Sequence, residues 1–563
     1  MELTRMKGEN KKMKKNAFAG KIIALALTCS TLGSLVACGG MGTESSSGGG
    51  GKPIPNATQL KVRNYDGGVG NDWLYALEAK YEALMANVEL EPGKKGVDIS
   101  VDPQKTSVEQ DILSDAHVVV SENIEIYSII SKGAAVAIDD VVTGDNTWEA
   151  GKTIESRLTG DQKSALTAMD GHYYFIPHYQ TFGGVFYNVD MFEQNAFYLK
   201  QGGGWTRNPS EMTAGPDGDI STTFDNGLPA TYEEFKSLMN RMVASGVNPL
   251  TFAGAHKSYS NFFLNALYRA NAGIQTKYNY TFNSGSDTVK LHNGTSVTIT
   301  VDNAYELWQS QARYEALEFF SEVIGNKDAT TAYLAPDASN QSIDMMAAQD
   351  NFILGNPQWE REKVAMLAEG SYWVNEAKDT IEEEEDFTGN ELKFAYMPMP
   401  TVKSGTVTKN INSYVLDDQS GAYMFINKKG VGENQVIIDL AKDFLQFANT
   451  EAALQEFTTI TNCTKGLSYG LTDAAYNSLS YFGKNIWDAK KRAEDNNCLL
   501  YYGSESAVYR QVCNKVSLNH SREFWGQKDN LAFTQMYENK VSVNDYFNSI
   551  KMSQTTWNGY LGN

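Results

Sequence analysis

Residues 59–85 run Gln59-Leu60-Lys61-Val62-Arg63-Asn64-Tyr65, then Asp66-Gly67-Gly68-Val69-Gly70, then Asn71-Asp72-Trp73-Leu74 and on to Met85. The first seven residues read as a strand and the Gly-rich five as a tight loop. Asn71 opens a helix with apolar positions Trp73, Leu74, Leu77, Tyr81 and Leu84 at helical spacing. Working outward, Val97 to Val101 gives a second strand and Ser107 to Leu113 a short helix. Ala116 to Val120 gives a third strand, so uniformly apolar that a buried, parallel position is expected, and Ile124 to Ser131 resumes helix. Strand–helix–strand repetition implies an α/β lobe.

Upstream of this lobe the chain carries a leader. A basic cluster with Lys11, Lys12, Lys14, Lys15 and Lys21 precedes an apolar run from Ile22 to Ala37. That run is 16 residues long, short of the roughly 20 a spanning helix needs. A basic start, a short apolar run and small residues at its end make a secretory signal peptide over 1–37. The ending Leu35-Val36-Ala37-Cys38 resembles a bacterial lipobox, in which the cysteine becomes the lipidated first residue. The alternative is an ordinary signal peptide cut near Ala37, with Cys38 a bystander. Residues 38–56, with the core Ser45-Ser46-Ser47-Gly48-Gly49, read as a flexible tether.

Charge excludes some partners. Residues 1–37 hold seven basic and two acidic side chains, so their removal takes the formal charge from −20 to −25. A chain this acidic is a poor nucleic-acid binder and is repelled by anionic lipid, so any membrane link rests on acyl chains. Cys463, Cys498 and Cys513 remain in the folded part, allowing at most one disulfide; Cys498 and Cys513 are the nearest pair in sequence. No CxxC pair or HExxH helix occurs and the six His are scattered, so neither a metal nor another cofactor is expected.

Downstream, Asp170-Gly171-His172-Tyr173-Tyr174-Phe175-Ile176-Pro177 runs on to Gly183-Gly184-Val185-Phe186-Tyr187-Asn188-Val189-Asp190. Four more blocks follow: Leu228-Pro229-Ala230-Thr231-Tyr232-Glu233-Glu234-Phe235; Lys363 through Gly370-Ser371-Tyr372-Trp373; Tyr396-Met397-Pro398-Met399-Pro400; and Phe447-Ala448-Asn449-Thr450-Glu451. In this order they resemble the extracellular solute-binding proteins that deliver sugars to ABC importers, the maltose-binding protein group. Thr231 and Glu234 also make physical sense as a capping box. Residues 197–226 and 276–302 look like insertions, and Cys463-Thr464-Lys465-Gly466 stands where many relatives have a Gly-Pro turn.

The resemblance implies a two-lobe periplasmic-binding-protein-like α/β fold with a hinge between discontinuous lobes. The first lobe is expected at 57–177 and 413–460, the second at 182–408 and 465–563, with hinge segments at 178–181, 409–412 and 461–464. It implies a carbohydrate ligand, an oligosaccharide, captured by lobe closure, with aromatic faces against sugar rings and polar groups on hydroxyls. Loop position and resemblance together nominate Asp66 and Trp73 in the first strand–helix loop. They also nominate Glu122 and Asn123 after the third strand, Tyr179 and Thr181 in the first crossing, Tyr259 before a later helix, and Tyr372 and Trp373 after Gly370. Of the last two, one is expected to face ligand and the other the core. Capping for Asp72, core packing for Trp73 and Tyr259, a plain turn for Glu122 and Asn123, and plain hinge roles for Tyr179 and Thr181 are the competing readings.

The implied function is a lipid-anchored, monomeric receptor handing sugar to ABC permease subunits, without catalysis. Retention by lipid suits the outer face of the membrane of a Gram-positive-type cell. The rival readings are a lipid-anchored glycoside hydrolase, which needs two carboxylates about 5–10 Å apart, and a surface glycan-adhesion protein. No GxSxG elbow or Walker A loop supports serine hydrolysis or NTP chemistry.

Overall fold

A computed structural model describes residues 53–328, 333–418, 421–501 and 524–562. The leader, Cys38, most of the tether and Cys513 lie outside the described residues. In chain order the main strands are β1 (Thr58–Tyr65), β2 (Val97–Gln104), β3 (Val118–Ser121), β4 (Ile176–Pro177), β5 (Gly183–Asn188), β6 (Val247–Thr251), β7 (Lys363–Gly370), β8 (Phe394–Tyr396) and β9 (Tyr423–Ile426). The helices used below are α1 (Asp72–Met85), α2 (Tyr232–Ala244), α3 (Ser260–Ala272), α4 (Gln311–Ile324), α5 (Gln435–Ala448) and α6 (Glu451–Thr461).

The chain forms two compact units. Unit 1 takes residues up to Tyr179, Ala422–Thr461 and Lys465–Ala475. Its sheet runs β2-β1-β3-β9-β4. β1 pairs in parallel with β2 and β3, as the apolar third strand led one to expect, but β9 runs antiparallel to β3. The third strand starts at Val118 rather than Ala116, and the second extends to Gln104. Helix α1 buries Trp73, Leu74, Leu77 and Tyr81, each worth about 1.5–3 kcal/mol when removed from water. The Tyr81 hydroxyl donates to Asp443 of α5 at 2.7 Å, and Trp148 Nε1 donates to the same carboxylate at 3.2 Å. Burial pushes the Asp443 carboxyl up to about 6 against those bonds.

Unit 2 takes Gln180–Gly421, Asn462–Thr464 and Tyr476 onward. Its sheet runs β8-β5-β7-β6, with β6 and β7 parallel and β5 antiparallel to β7. Residues 413–421, expected with the first lobe, group with unit 2 because Leu416–Asp417 pairs with Leu499–Leu500. Lys465–Ala475, expected with the second lobe, belongs to unit 1, where the Gly466 carbonyl accepts from Gln162 Nε2 at 2.6 Å.

The capping box on α2 forms: Thr231 Oγ1 accepts the Glu234 amide at 3.1 Å, and the Glu234 carboxylate accepts the Thr231 and Ala230 amides at 3.0 and 2.9 Å. Thr231→Ala is expected to lower stability by about 1 kcal/mol, read as a lower urea midpoint with unchanged slope. An unchanged midpoint would show that Glu234 alone satisfies that end. Cys498 is buried in unit 2. The acidic run Glu382 to Asp386 lies in the helix Lys378–Thr388, which has no buried residue.

Candidate functional site

In an α/β sheet, ligand-facing loops gather at the carboxyl ends of parallel strands, where helix N-termini and loop side chains converge. Each unit has such an edge.

In unit 1 the edge is defined by register: Tyr65 lies beside Gln104, Asn64 beside Val120, and Tyr423 beside both Ser121 and Pro177. The loops leaving β1, β3 and β4 therefore emerge together. Asn64, buried at 2% exposure, organises the first of them. Its Nδ2 donates to the Tyr65 and Gly70 carbonyls and to Asn71 Oδ1 at 2.7 Å, and Asn71 Nδ2 then donates to Asp66 at 2.7 Å. Asp66 is thus a half-buried carboxylate held in place by an amide. From the next loop, Glu122 is half-buried and accepts the Tyr179 hydroxyl, while Asn123 is exposed with φ +54°. Tyr179 itself is buried.

Trp73, expected to face ligand, is instead part of the core. Only 1% of it is exposed, so no ring face is open to a sugar. His178 packs on it at 4.7 Å between centroids and Phe457 at 5.5 Å. Lys465 Nζ sits 4.6 Å from the Trp73 centroid and 4.4 Å from that of Phe457. Lys465 is fully buried, and its Nζ lies 2.7 Å from His178 Nδ1. An amine nitrogen with protons to give makes Nδ1 the acceptor, which assigns the neutral-ring proton to Nε2. Burial, then the Lys465 charge, holds His178 well below the ordinary imidazole range; burial does the same to the Lys465 amine. The two flanking rings are what the ammonium form has in its favour. Sequence reasoning missed Lys465, which stood in a segment departing from the family pattern.

In unit 2 the edge lies where β7 ends, with Gly370 opposite Gly183 and Leu367 opposite Thr251. Thr181 and Phe182, just before β5, therefore flank Ser371 and Tyr372, just after β7; the Phe182 amide donates to Ser371 Oγ at 3.1 Å. Tyr372 is half-buried. A Cβ on Gly370 would meet the Tyr372 ring at 2.6 Å and Thr181 Cγ2 at 3.0 Å, so glycine is what lets that ring lie against the strand end. Trp373 faces the other way, fully buried against Phe186, Phe352, Phe394 and Phe482. It is core, and Tyr372 is the member of the pair with surface to offer.

Buried polar atoms of unit 2 that lack hydrogen-bond partners among the described residues include the Thr181 hydroxyl, the Thr251 hydroxyl, both amide atoms of Asn261 at the start of α3, Trp373 Nε1 and Gln349 Oε1. Leaving such groups unmade costs about 1–3 kcal/mol each. Tyr259 lies on the single turn before α3, half-buried with its ring edge-on to Phe262 at 5.5 Å. Beneath Tyr372 lies Glu369, 1% exposed, whose Oε1 accepts the Gly370 amide at 2.9 Å. Burial, reinforced by the Glu376 charge, raises it well above the ordinary carboxyl range. A lone acid closing the apolar run Val364 to Ala368 is the sequence signal for it.

Two cavities of about 250 and 240 Å³ occur elsewhere in unit 2, the first lined by Asn248, Trp359 and Arg361. Both are below the size usual for small-molecule sites. Among the described residues no group of three or more His, Cys, Asp or Glu is placed to hold a metal, and no helix is long and apolar enough to cross a membrane.

Residues 75–455 match the model of the bacterial extracellular solute-binding protein family. The chain belongs to that family. No curated protein matches it. Among solved structures, this solute-binding protein is similar to a chitin oligosaccharide binding protein at 12% identity, covering 90% of this chain and 100% of that one, with a TM-score of 0.53. It is equally similar to the apo form of RafE from Streptococcus pneumoniae at 13% identity, covering 90% and 99%, TM-score 0.53. The GacH receptor of Streptomyces glaucescens, solved unliganded and with acarbose, is 13% identical over 90% and 99%, TM-score 0.52. At these identities the likeness establishes the fold. The strand edges described above are therefore those of a solute-binding protein, and the family is one of binders.

Proposed function

We propose that this protein captures an oligosaccharide outside the cell and hands it unchanged to the permease of an ABC importer, held to the membrane by lipid on Cys38. The observation that carries the reading is the unit 2 strand edge, where a half-buried Tyr372 ring beside Gly370 adjoins Thr181, whose buried hydroxyl has no partner among the described residues. An aromatic face with orphan hydroxyl and amide groups is the pairing a sugar needs: the ring covers its C–H face, and the orphans accept and donate to its hydroxyls. In unit 1, Asp66 and Glu122 offer carboxylates and Asn123 an amide, with the Tyr179 hydroxyl holding Glu122 in place. Supporting the sugar class, the structurally similar proteins include one that binds chitin oligosaccharide and RafE solved with raffinose.

A glycan panel against protein lacking residues 1–38 is expected to give a thermal shift with one class of oligosaccharide, recovered intact by mass analysis. Cleaved sugar would mean a glycoside hydrolase instead; no shift with any glycan would favour adhesion. Tyr372→Ala is expected to weaken the bound sugar about ten-fold, or about 1.4 kcal/mol. Gly370→Ala should do the same by displacing the Tyr372 ring, with little change in melting temperature. Full affinity in both variants would remove Tyr372 from the site. In cells, Cys38→Ala is expected to release the protein into the medium.

A further inference from the structure

Unit 1 keeps a lysine amine in its interior. Lys465 is fully buried, and around its Nζ lie the faces of Trp73 and Phe457, at 4.6 and 4.4 Å from their centroids, with His178 Nδ1 at 2.7 Å. Taking an amine out of water is costly even between two rings. A residue that breaks the burial rule in this way marks a place where something besides stability is gained.

The amine acts on a ring whose backbone is already fixed. The His178 amide donates to the Ala422 carbonyl at 2.9 Å, and the His178 carbonyl accepts the Gly466 amide at 2.8 Å. Rotation of the imidazole about its side-chain bonds is the freedom that remains, and a donor at Nδ1 removes it. The imidazole packs on Trp73 and stands perpendicular to the Tyr179 ring, 5.4 Å away between centroids. Tyr179, 4% exposed, gives its hydroxyl to Glu122. Lys465 is itself held, because its amide donates to the Tyr469 hydroxyl at 3.1 Å and that hydroxyl is bonded to Thr458 Oγ1 at 2.5 Å. A chain of contacts therefore runs from a fixed amine to the half-buried carboxylate of Glu122, all within unit 1.

We propose that Lys465 and His178 are positioning residues for the sugar: the amine sets the imidazole, the imidazole braces Tyr179, and Tyr179 holds Glu122 where it accepts from a sugar hydroxyl. The role rests on the capture reading above, and it gives Lys465 no contact with the sugar.

The test uses protein lacking residues 1–38 and each oligosaccharide of the glycan panel. In ¹⁵N NMR at neutral pH the wild-type His178 ring is expected as a single tautomer with its proton on Nε2, which Lys465→Met releases into a mixture. Lys465→Met is expected to weaken the sugar about ten-fold. Its melting temperature should move little, because losing the burial cost of the amine offsets the acceptor left bare at Nδ1. Lys465→Gln keeps an N–H donor and should recover most of the affinity. Tyr179→Phe should weaken the sugar about as much as Lys465→Met, and the double variant no more than either, since both break one chain. If Lys465→Met does not fold, His178→Phe, which removes the acceptor instead, is expected to show the same loss. A wild type that no glycan shifts overturns the capture reading and this role together. Wild-type affinity in Lys465→Met, a fully additive double variant, or a wild-type ring with its proton on Nδ1 overturns this role alone.

Discussion

Arg313→Met is expected to cost about 3–5 kcal/mol of stability, the loss seen when a buried charged network loses its central member. Arg313 sits on α4 and is fully buried. Its five N–H groups make five hydrogen bonds, all to carbonyls. Nε and Nη2 donate to Phe524 at 3.0 and 2.8 Å, Nη1 to Trp308 and Phe547 at 2.9 and 3.4 Å, and Nη2 to Ile550 at 2.8 Å. Where a counter-ion would be expected, the rings of Phe524, Trp525 and Phe547 lie 5.0–5.7 Å from the guanidinium. Burial still pulls the group down to about 10, so it stays charged at neutral pH.

Methionine would fill the volume but strand four carbonyls inside the protein. The segments donating those carbonyls beyond residue 523 should then detach locally before the rest unfolds. Urea titration is expected to give the stability loss. Limited proteolysis should show early cuts between Phe524 and Trp557, leaving unit 1 intact. Arg313→Lys should recover only part of the loss, because an ammonium brings three donors and no planar fork. A methionine variant as stable as wild type would show that ring packing alone holds this segment.

Arg313 also shows where sequence reading stops. Within the helical pattern of residues 311–324 it looks like any solvent-facing arginine; only the return of a segment more than 200 positions later encloses it. Local signals read more truly. The strand, loop and helix of 58–85 follow from turn chemistry and spacing close at hand, and Thr231 with Glu234 announced a capping box three residues long. The family blocks carried unit 2, whose strands β5, β7 and β8 lie within or overlap them, whereas β1, β2 and β3 of unit 1 precede every block and were read from their own pattern. The candidate site was harder. Tyr372 and Trp373 are neighbours of the same chemical kind, and which one packs inward depends on how the chain turns at the end of β7. Trp73, at the start of the first helix beside the crevice loop, reads equally as ligand contact or core; Lys465 and Phe457, far away in sequence, cover its ring. Lys465 and Glu369 are charged residues at buried positions, and propensity treats both as surface.

Glu369→Gln is expected to stabilise the protein at neutral pH and to remove part of its pH dependence. The groups facing the carboxyl are the Gly370 amide, Gln349, Tyr372 and Glu376, the last also accepting from Gln349 Nε2 at 2.8 Å. No cation is among them. Burial first and Glu376 second raise the Glu369 carboxyl above its unfolded value of 4.5. The folded state therefore keeps a proton that the unfolded chain gives up. By linkage its contribution to stability is fully present below about pH 4.5 and is lost as pH climbs through the raised value. Within that window the wild type should lose about 1.4 kcal/mol per pH unit through this one group.

Glutamine keeps the acceptor for the Gly370 amide but has no proton to lose. Near pH 4 the two proteins should be of similar stability. From about pH 5 upward the variant should draw ahead, the gap widening until the folded carboxyl ionises and then levelling. Asp443, at about 6 in unit 1, and Asp337, also at about 6, titrate in both proteins and cancel from the difference. Urea midpoints measured across this range at constant ionic strength give the gap directly. A difference between the two proteins that does not change with pH would mean Glu369 is ionised in the folded state, and the burial account of this strand end would fall. A widening gap would fix a neutral acid beneath Tyr372, donating a hydrogen bond at the strand end from which the sugar is proposed to be held.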